Sequence, residues 1–300
     1  MIGGTKMRFK IIANPAAGRG KVAKLAPKIR RLFVAQDLDF ELVETSGPGH
    51  ATELARQAGH DFETVIGVGG DGTMNEVLNG VMETGAAMGF IPCGTGNDFA
   101  RSLNIPFNLE KAVSVFKTGR MISMDVGKDS DGYFSIILGL GFPSDVMQHV
   151  NTRKNIFRGP LAITASILQV VNKLQPYPMH ITLDDDELSA TVMGLFVLNT
   201  RFTGGGLQIA PEARYDDGLL DVVIMHEMNK LGFLTTLPKA YKGKHTTHPK
   251  VQFLRTRKLK VTTLEPLPKL FDGNVYGTSP IDAELLPGAL RVWVPGADNS

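Results

Sequence analysis

The sequence predicts a two-domain protein: an N-terminal α/β domain with a parallel sheet and helices on both faces, then a mainly antiparallel β-sandwich. In residues 1–124, apolar strand-like runs alternate with helical patterns, which indicates a parallel sheet. From Asp125 onward, short β-rich runs are separated by turns, which is typical of a sandwich. We therefore place the domains at 1–124 and 125–300, and we expect the last residues to be able to pack back on the first domain.

Composition supports this organisation and excludes several classes of protein. The chain has 300 residues, 43% of them hydrophobic, which suffices for two domains with substantial cores. A net charge of +2 does not indicate a nucleic-acid surface, and the single cysteine, Cys93, excludes an internal disulfide. The longest apolar stretch, 161–168, is short of the roughly 20 residues that cross a bilayer. We expect a cytoplasmic protein, with peripheral contact at the inner membrane face and a homodimer both left open.

Each element of the first domain is an apolar run bounded by turn residues. Gly59 is placed to end the second helix. Thr73, with Glu76 three residues later, fits a capping box, so we expect the third helix to start at Thr73. The predicted strands are 9–13, 40–43, 64–68 and 88–91, and the first two predicted helices are 23–33 and 51–58.

The second domain is predicted to be mostly β, with two helical interruptions at 160–174 and 230–241. Residues 184–187 are an acidic hairpin turn between two of its strands. The predicted strands are 133–140, 179–183, 191–198, 218–225, 259–263 and 290–294.

Glycine-rich loops follow three strands of the first domain, at residues 14–20, 69–73 and 92–101. The carboxyl ends of parallel strands lie at one edge of the sheet, so these loops are expected side by side. Glycines before a helix N-terminus allow backbone N–H groups to approach a phosphate. The carboxylate of Asp71 cannot attract phosphate, which leaves a metal, a bound water or a ribose hydroxyl as its predicted partner.

Three other interpretations of these glycines fit the sequence less well. Residues 67–72 match G-x-G-x-x-G, but the first glycine lies inside the apolar run and the next strand ends without the acidic residue of a dinucleotide site. Neither Gly20-Lys21 nor Gly243-Lys244 is followed by Ser or Thr, so a Walker A loop is absent. Glycines that only shape tight turns stay an alternative, although they do not explain the Asn, Thr and Asp beside them.

Five segments together carry a resemblance to a known family: 14–18 (NPAAG), 69–76 (GGDGTMNE), 94–101 (GTGNDFAR), 211–221 (PEARYDDGLLD) and 244–251 (KHTTHPKV). They resemble the bacterial diacylglycerol kinase and related lipid kinase family, over nearly the whole chain. The second segment alone is shared with NAD kinases and is similar to the phosphofructokinase loop. The resemblance implies an NAD-kinase-like first domain and a lipid or substrate domain after it.

The resemblance implies an ATP site at the strand ends of the first domain. Carried over position by position, its residues are Asn14, Pro15, Ala16, Ala17, Gly18, Thr45, Gly69, Gly70, Asp71, Gly72, Thr73, Met74, Asn75, Gly94, Thr95 and Asn97.

The resemblance also implies a magnesium site in the second domain. Its ligands match the backbone carbonyls of Arg214 and Leu219 and the carboxylate of Asp217. Asp71 and Asp125 match aspartates of the family's nucleotide and magnesium network. Oxygen ligands of this kind are what Mg²⁺ accepts. The competing interpretation is an ordinary Asp-Gly turn before a strand.

The catalytic base is the position where this chain departs from the family pattern. The family's proposed base is a glutamate in an Asp-Gly-Glu segment, and the matching residue is Asn274. Asparagine can orient a hydroxyl but cannot accept its proton at neutral pH. Asp272 is a candidate substitute, and Glu284 is a weaker one.

We therefore expect an ATP- and Mg²⁺-dependent lipid kinase that phosphorylates a hydroxyl of a diacylglycerol-like lipid. One alternative is a non-catalytic nucleotide- or lipid-binding member, favoured by Asn274. Another is a soluble-substrate kinase similar to NAD kinase, favoured by residues 69–76 alone. His245 and His248 have a spacing that could bind a metal, but no clear third ligand accompanies them, so a structural role is favoured.

Overall fold

The computed structural model describes residues 7–152 and 160–296, which form two compact units. The first unit comprises 7–124 together with 289–296, and the second comprises the described part of 125–288.

The first unit is a parallel sheet with helices. Its strand order is β2–β1–β3–β4, and every pair within it is parallel. All residues of β3 and β4 are buried, as expected for central strands covered on both faces. The elements are β1 (Arg8–Ala13), α1 (Ala17–Ala35), β2 (Asp39–Glu44), α2 (His50–Ala58), β3 (Thr64–Gly69), α3 (Asp71–Val81), β4 (Ala87–Pro92), α4 (Asp98–Ser102) and α5 (Leu109–Thr118).

The capping-box prediction for α3 is wrong. The helix begins at Asp71, with Gly70 as its N-cap and no side-chain cap. The Thr73 hydroxyl accepts a hydrogen bond from Asn14 at 2.9 Å, and Glu76 accepts one from the backbone N–H of Ala51 at 3.1 Å. Both side chains therefore hold neighbouring segments, and neither caps the helix in which it lies.

The second unit is built almost entirely from antiparallel pairs. Its strand order is β16–β15–β7–β9–β8–β14–β17, and β12 and β13 branch from β9. The elements are β5 (Arg120–Asp129), β6 (Gly132–Phe134), β7 (Ile137–Gly141), α6 (Phe142–Thr152), α7 (Pro160–Val170), β8 (Tyr177–Leu183), β9 (Asp186–Leu198), β10 (Phe202–Thr203), β11 (Leu207–Gln208), β12 (Leu220–His226), α8 (Lys230–Ala240), β13 (Val251–Thr256), β14 (Lys258–Thr263), β15 (Pro268–Phe271), β16 (Asn274–Thr278) and β17 (Ile281–Val294).

The long strand β9 connects the parts of this second unit. Its first half pairs with β8, whereas its second half pairs with β7 on one edge and β12 on the other. Leu138, Ile181, Leu195, Ile224 and Val261 come from five different strands and share one buried core. The predicted fold class, an α/β domain followed by a β-sandwich, is confirmed.

Several details of the second half differ from the sequence prediction, which did not include strands β5, β13, β15 and β16. Helix α6 was not predicted; Pro143 lies in its first turn, where proline is tolerated. The final strand is longer than predicted, and its last residues belong to the first unit. There Val292 pairs in parallel with Met88, and the Trp293 indole donates a hydrogen bond to Thr64 at 3.2 Å.

Candidate functional site

The three glycine-rich loops of the first unit meet at the carboxyl ends of β1, β3 and β4. A Cβ added to Gly18 would lie 2.4 Å from the carbonyl oxygen of Cys93, and one added to Gly94 would lie 2.2 Å from the Cα of Gly70. Gly18 also has a φ of 60°, in the left-handed region. The loops therefore pack backbone against backbone, and only glycine permits these approaches.

The third loop is held in shape by one side chain. The backbone N–H of Gly94 donates to the Asn97 side-chain oxygen at 2.8 Å, and the Asn97 amide donates back to the Gly94 carbonyl at 3.1 Å. Asn97 has a φ of 55°, which asparagine tolerates better than most residues. Thr95, between them, is exposed and accessible to a ligand.

Asp71 ties the second loop to the third. Its carboxylate accepts a hydrogen bond from the backbone N–H of Phe99 at 3.2 Å, and the N–H groups of Asn97 and Asp98 also interact with it. Burial raises the pKa of the Asp71 carboxyl, and these backbone donors oppose that increase. The sequence left this carboxylate with a metal, a water or a ribose as partner, whereas the structure gives it a backbone role at the start of α4.

The remaining residues of the predicted nucleotide site differ in accessibility. Asn14 accepts from the N–H of Ala16 through its side chain at 3.1 Å, and Ala16 itself is exposed. Thr45 follows β2, and its N–H donates to the carbonyl of Ala13 at 2.9 Å. The Met74 side chain is fully buried, so any contact of Met74 with a nucleotide would be through its backbone.

In the second unit, Asp125 organises the turn that carries the predicted metal ligands. Its carboxylate accepts from the N–H of Gly218 at 2.8 Å and from the N–H of Gly288 at 2.7 Å. Its own N–H donates to the carbonyl of Tyr215 at 2.8 Å. The Asn199 side chain donates to the Asp125 carbonyl at 2.7 Å. Asp125 therefore holds the turn at residues 215–218 in place through hydrogen bonds with its backbone.

The turn presents oxygen atoms to a cation. One Asp217 oxygen accepts from the N–H of Leu219 at 3.2 Å, and the other lies 3.8 Å from the Arg255 guanidinium. Asp221, beside them, binds Arg255 at 3.0 Å through one oxygen, and its other oxygen is buried with no hydrogen-bond partner in the described chain. Burial raises the pKa of Asp221, although Arg255 opposes this.

This donor set fits magnesium. No three His, Cys, Asp or Glu side chains cluster into a metal site among residues 7–152 and 160–296. The predicted site needs only the Asp217 carboxylate with the carbonyls of Arg214 and Leu219. These are hard oxygen ligands of the kind that Mg²⁺ accepts, and the unpartnered oxygen of Asp221 lies near them. The Arg214 side chain pairs with Asp216 at 3.2 Å.

Asp272 has an architectural role, and the catalytic role expected from sequence stays a prediction. One of its oxygens accepts from the N–H groups of Ile136 and Ile137 at 2.7 and 2.9 Å, and the other accepts from the N–H of Ser135 at 3.1 Å. Its φ of 52° places it in the tight turn between β15 and β16. A carboxylate bound by three backbone donors holds its hairpin in place and is poorly suited to accept a substrate proton.

Asn274 is the first residue of β16 and lies opposite Phe271 in the register. It is half-buried. The position where the resemblance puts a glutamate therefore carries an amide on a regular strand.

The second unit also contains an apolar cavity bordered by α7, the helix that the resemblance implies lies beside a lipid-binding cleft. The signal in the sequence was α7, whose Ile163 and Ile167 face the cavity while Leu161 and Leu168 are exposed, so the helix is apolar on both sides. Residues from nine helices and strands line it, among them Phe142, Val146, Ile163, Phe196, Met225 and Phe233.

His245 and His248 do not form a metal site. His245 is buried in the cavity wall, with Nε2 3.0 Å from the carbonyl oxygen of Ile209. His248 accepts a hydrogen bond from the N–H of Lys250 at 3.1 Å. Each histidine therefore has a hydrogen-bond contact within the protein, which fits the favoured structural role.

The family of the chain follows from its similarity to known proteins. Residues 8–128 match the diacylglycerol kinase catalytic domain, and residues 137–294 match the YegS C-terminal NAD kinase beta sandwich-like domain. The chain is 30% identical to a diacylglycerol kinase of Staphylococcus carnosus (strain TM300) over 296 residues, which covers 97% of this chain and 96% of that relative. The chain belongs to the diacylglycerol kinase family. A diacylglycerol kinase of Bacillus subtilis (strain 168) is 29% identical, with 96% of each chain covered.

Solved structures agree on the fold. A crystal structure of a diacylglycerol kinase from Bacillus anthracis str. Sterne has a TM-score of 0.75 at 23% identity, covering 98% of this chain and 99% of that one. This likeness concerns the fold alone. Membership in the diacylglycerol kinase family makes the chain a phosphotransferase of the lipid-kinase class, and kinase membership implies that it uses ATP. Among the described helices, none is long and apolar enough to cross a bilayer.

Proposed function

We propose that this chain is an ATP- and Mg²⁺-dependent kinase that phosphorylates a hydroxyl of a diacylglycerol-like lipid. The observation that carries the proposal is the apolar cavity of the second unit, in a chain that belongs to a phosphotransferase family. A cavity lined mainly by phenylalanine, isoleucine, leucine, valine and methionine, with Thr203, Thr236 and His245 as its polar side chains, suits hydrocarbon better than a nucleoside. This favours a lipid acceptor over a soluble one such as NAD.

The nucleotide would bind at the three loops of the first unit. Their accessible residues include Pro15, Ala16, Gly72 and Thr95. Gly72 and Thr95 lie at the N-termini of α3 and α4, whereas the left-handed residues 18–20 separate Pro15 and Ala16 from the regular part of α1. Helix N-termini and unhindered backbone N–H groups favour phosphate. The role of Asp71 is to hold two of the loops together, so that their N–H groups are positioned before the nucleotide arrives.

Asp217, with the carbonyls of Arg214 and Leu219, would hold magnesium, and Asp125 would keep that turn in place. Bound magnesium supplies neutralisation of negative charge on the phosphates and on the oxygens of the transferred group. Arg255, 3.8 Å from Asp217, adds a fixed positive charge beside the turn. This chain therefore contributes mainly positioning and electrostatic stabilisation, which carry most of the catalysis in phosphoryl transfer.

The lipid would reach the cavity from a membrane surface. Leu161 on α7 and Leu231 on α8 are 65% and 71% exposed, although Ile163 and Phe233 of the same helices line the cavity. The exposed Lys230 on α8 suits an anionic lipid surface. We expect flotation with anionic vesicles to be reduced in the double variant Leu161→Ser, Leu231→Ser. The control is Val34→Ser, since Val34 is an exposed apolar residue of α1; an equal loss there would contradict the assignment of this face.

Transfer of labelled phosphate from ATP tests the activity. Purified protein is incubated with Mg²⁺ and diacylglycerol, monoacylglycerol, sphingosine-type lipids or NAD. We expect label in a glycerolipid and none in NAD. Label in NAD alone would overturn the proposal, and ATP binding without transfer to any acceptor would favour the non-catalytic alternative.

The missing base at Asn274 sets our expectation for the rate of phosphoryl transfer. General-base catalysis is worth about 10²–10⁴-fold, so we expect slow turnover that Asn274→Glu raises by about 10²-fold. Asn274→Gln is the matched control, because it lengthens the side chain without adding a base. An unchanged rate in the glutamate variant would show that the missing base does not limit turnover.

A further inference from the structure

The wall of the apolar cavity contains one imidazole whose hydrogen bonding is incomplete. His245 is 4% exposed and lies among the cavity-lining residues. Its Nε2 is 3.0 Å from the Ile209 carbonyl oxygen, and a carbonyl only accepts, so Nε2 carries the hydrogen. Its Nδ1 is buried and has no hydrogen-bond partner in the described part of the chain.

The chemistry of this free nitrogen follows from the tautomer. Burial lowers the pKa of His245, and the contact with Ile209 opposes this only in part, so the ring is neutral near pH 7. With the hydrogen on Nε2, the Nδ1 atom has a lone pair and no hydrogen, and it acts purely as an acceptor. The Phe253 ring, with its centroid 5.7 Å from that of His245, packs against the imidazole and helps to fix its orientation.

The position of His245 separates it from the phosphorylation chemistry. Strand β12 runs from Asp221, which binds Arg255 beside the proposed magnesium turn, to Met225 in the cavity wall. Met225 pairs with Val251, another cavity residue. Four residues of strand span about 13 Å. The Met225 part of the cavity wall is therefore about 13 Å along the strand from Asp221, so the cavity extends away from the proposed magnesium turn and has room for the body of a lipid.

We propose that the cavity binds a lipid whose hydrocarbon part carries a hydroxyl group, and that His245 Nδ1 accepts a hydrogen bond from that hydroxyl. The proposal rests on the lipid-kinase function above and narrows its substrate to hydroxylated acyl lipids. A plain chain would fill the cavity but leave the buried acceptor unsatisfied. Buried acceptors without a partner are disfavoured, so such a cavity discriminates between chains that differ by one oxygen.

Binding of matched monoacylglycerols to the full-length protein tests this proposal. The probes are stearoyl glycerol, a positional series of hydroxystearoyl glycerols and the corresponding methoxystearoyl glycerols, each displacing a fluorescent stearoyl probe. For the position that reaches His245, we expect the hydroxy lipid to bind about 10-fold more tightly than the plain and methoxy lipids. The methoxy group keeps the oxygen but cannot donate, so equal affinity of hydroxy and methoxy lipids at every position overturns the proposal without any mutation.

Two variants test whether the preference for the hydroxy lipid depends on His245 Nδ1. His245→Phe removes the acceptor, and we expect it to abolish the preference for the hydroxy lipid while plain stearoyl glycerol binds equally well or better. Thr236→Val is the control, because the Thr236 hydroxyl lies in the same wall but already donates to the Gly232 carbonyl at 2.7 Å. A preference that survives in His245→Phe overturns the assignment. Binding of all chains without preference overturns only this inference, whereas binding of none overturns the lipid-kinase proposal as well.

Discussion

Replacing Asp145 by asparagine is expected to stabilise the protein near neutral pH. Asp145 lies on α6, and burial raises its pKa to about 6 from an ordinary value of 3.8, while a hydrogen bond with Tyr177 opposes the increase. The folded protein therefore binds a proton at Asp145 between about pH 4 and pH 6, where the unfolded chain does not. Above that window, the folded protein has a negative charge on the partly buried Asp145 carboxylate, which lowers its free energy of unfolding.

The size of the effect follows from the two pKa values. The difference between about 6 and 3.8 corresponds to about 3 kcal/mol at roughly 1.36 kcal/mol per pH unit. Asp145 is only partly buried, so solvent screening reduces this to about 1–2 kcal/mol. Asp145→Asn should raise the free energy of unfolding by that amount at about pH 7, and the gain should disappear as the pH falls from about 6 towards 4.

Urea unfolding followed by circular dichroism, at several pH values across this window, measures the effect. The control is Asp185→Asn, in the exposed turn between β8 and β9, which should change stability little at any pH. Tyr177→Phe removes the opposing hydrogen bond and should shift the window to higher pH. Asp145→Asn would refute the reasoning if it lowered stability at pH 7, or if its gain were the same at both ends of the window.

Three further predictions concern the candidate sites. Gly94→Ala forces a Cβ into the neighbouring loop and should weaken ATP binding at least 10-fold in a titration, whereas Gly47→Ala, with open space around it, should not. Asp272→Asn should lower the free energy of unfolding by about 1–3 kcal/mol, because an amide faces backbone donors; full stability with lost turnover would instead indicate catalysis. Asp217→Asn should raise the Mg²⁺ concentration for half-maximal activity about 10-fold, and its neighbour variant Asp216→Asn should leave it unchanged.

The sheet of the first unit was predictable because its signals are local. Buried strands such as β3 and β4 are continuous apolar runs, and the glycines that follow them mark the points where strands end. Parallel order then brings the three loops together without further information. Gly70 and Gly94 follow neighbouring strands in the sequence, and in the structure the two glycines lie against each other.

The uses of individual polar side chains were not predictable, because their partners are distant in sequence. Thr73 has a hydroxyl suited to capping, but in the structure it accepts from Asn14, 59 residues earlier. Asp71 binds the N–H of Phe99, 28 residues later, and Asp272 binds a segment more than 130 residues earlier. A short motif shows which groups are available, whereas the fold determines which of them is used.

Most of the residues that line the cavity escaped sequence analysis for a related reason. Its lining comes from helices α6, α7 and α8 and from strands such as β9 and β12, and each contributes only one to a few side chains. Isoleucine and phenylalanine at those positions fit a solid core equally well. Only the exposed leucines on α7 and α8 distinguish these helices from ordinary core helices, and they do so by lying on the opposite side from Ile163 and Phe233.

The aspartates of the candidate sites differ in what their carboxylates bind: some hold loops and turns in place, and one has an oxygen available for a metal. Asp71, Asp125 and Asp272 each accept from two or more backbone N–H groups, so their negative charge is used to fix loops and turns. Asp217 keeps an oxygen whose nearest cation is 3.8 Å away, and it is the one best placed to hold magnesium. With an amide at Asn274, phosphoryl transfer would depend on the metal and on the positions of the reactants more than on a base. Phosphoryl transfer tolerates such a loss because positioning and charge neutralisation supply most of its rate enhancement.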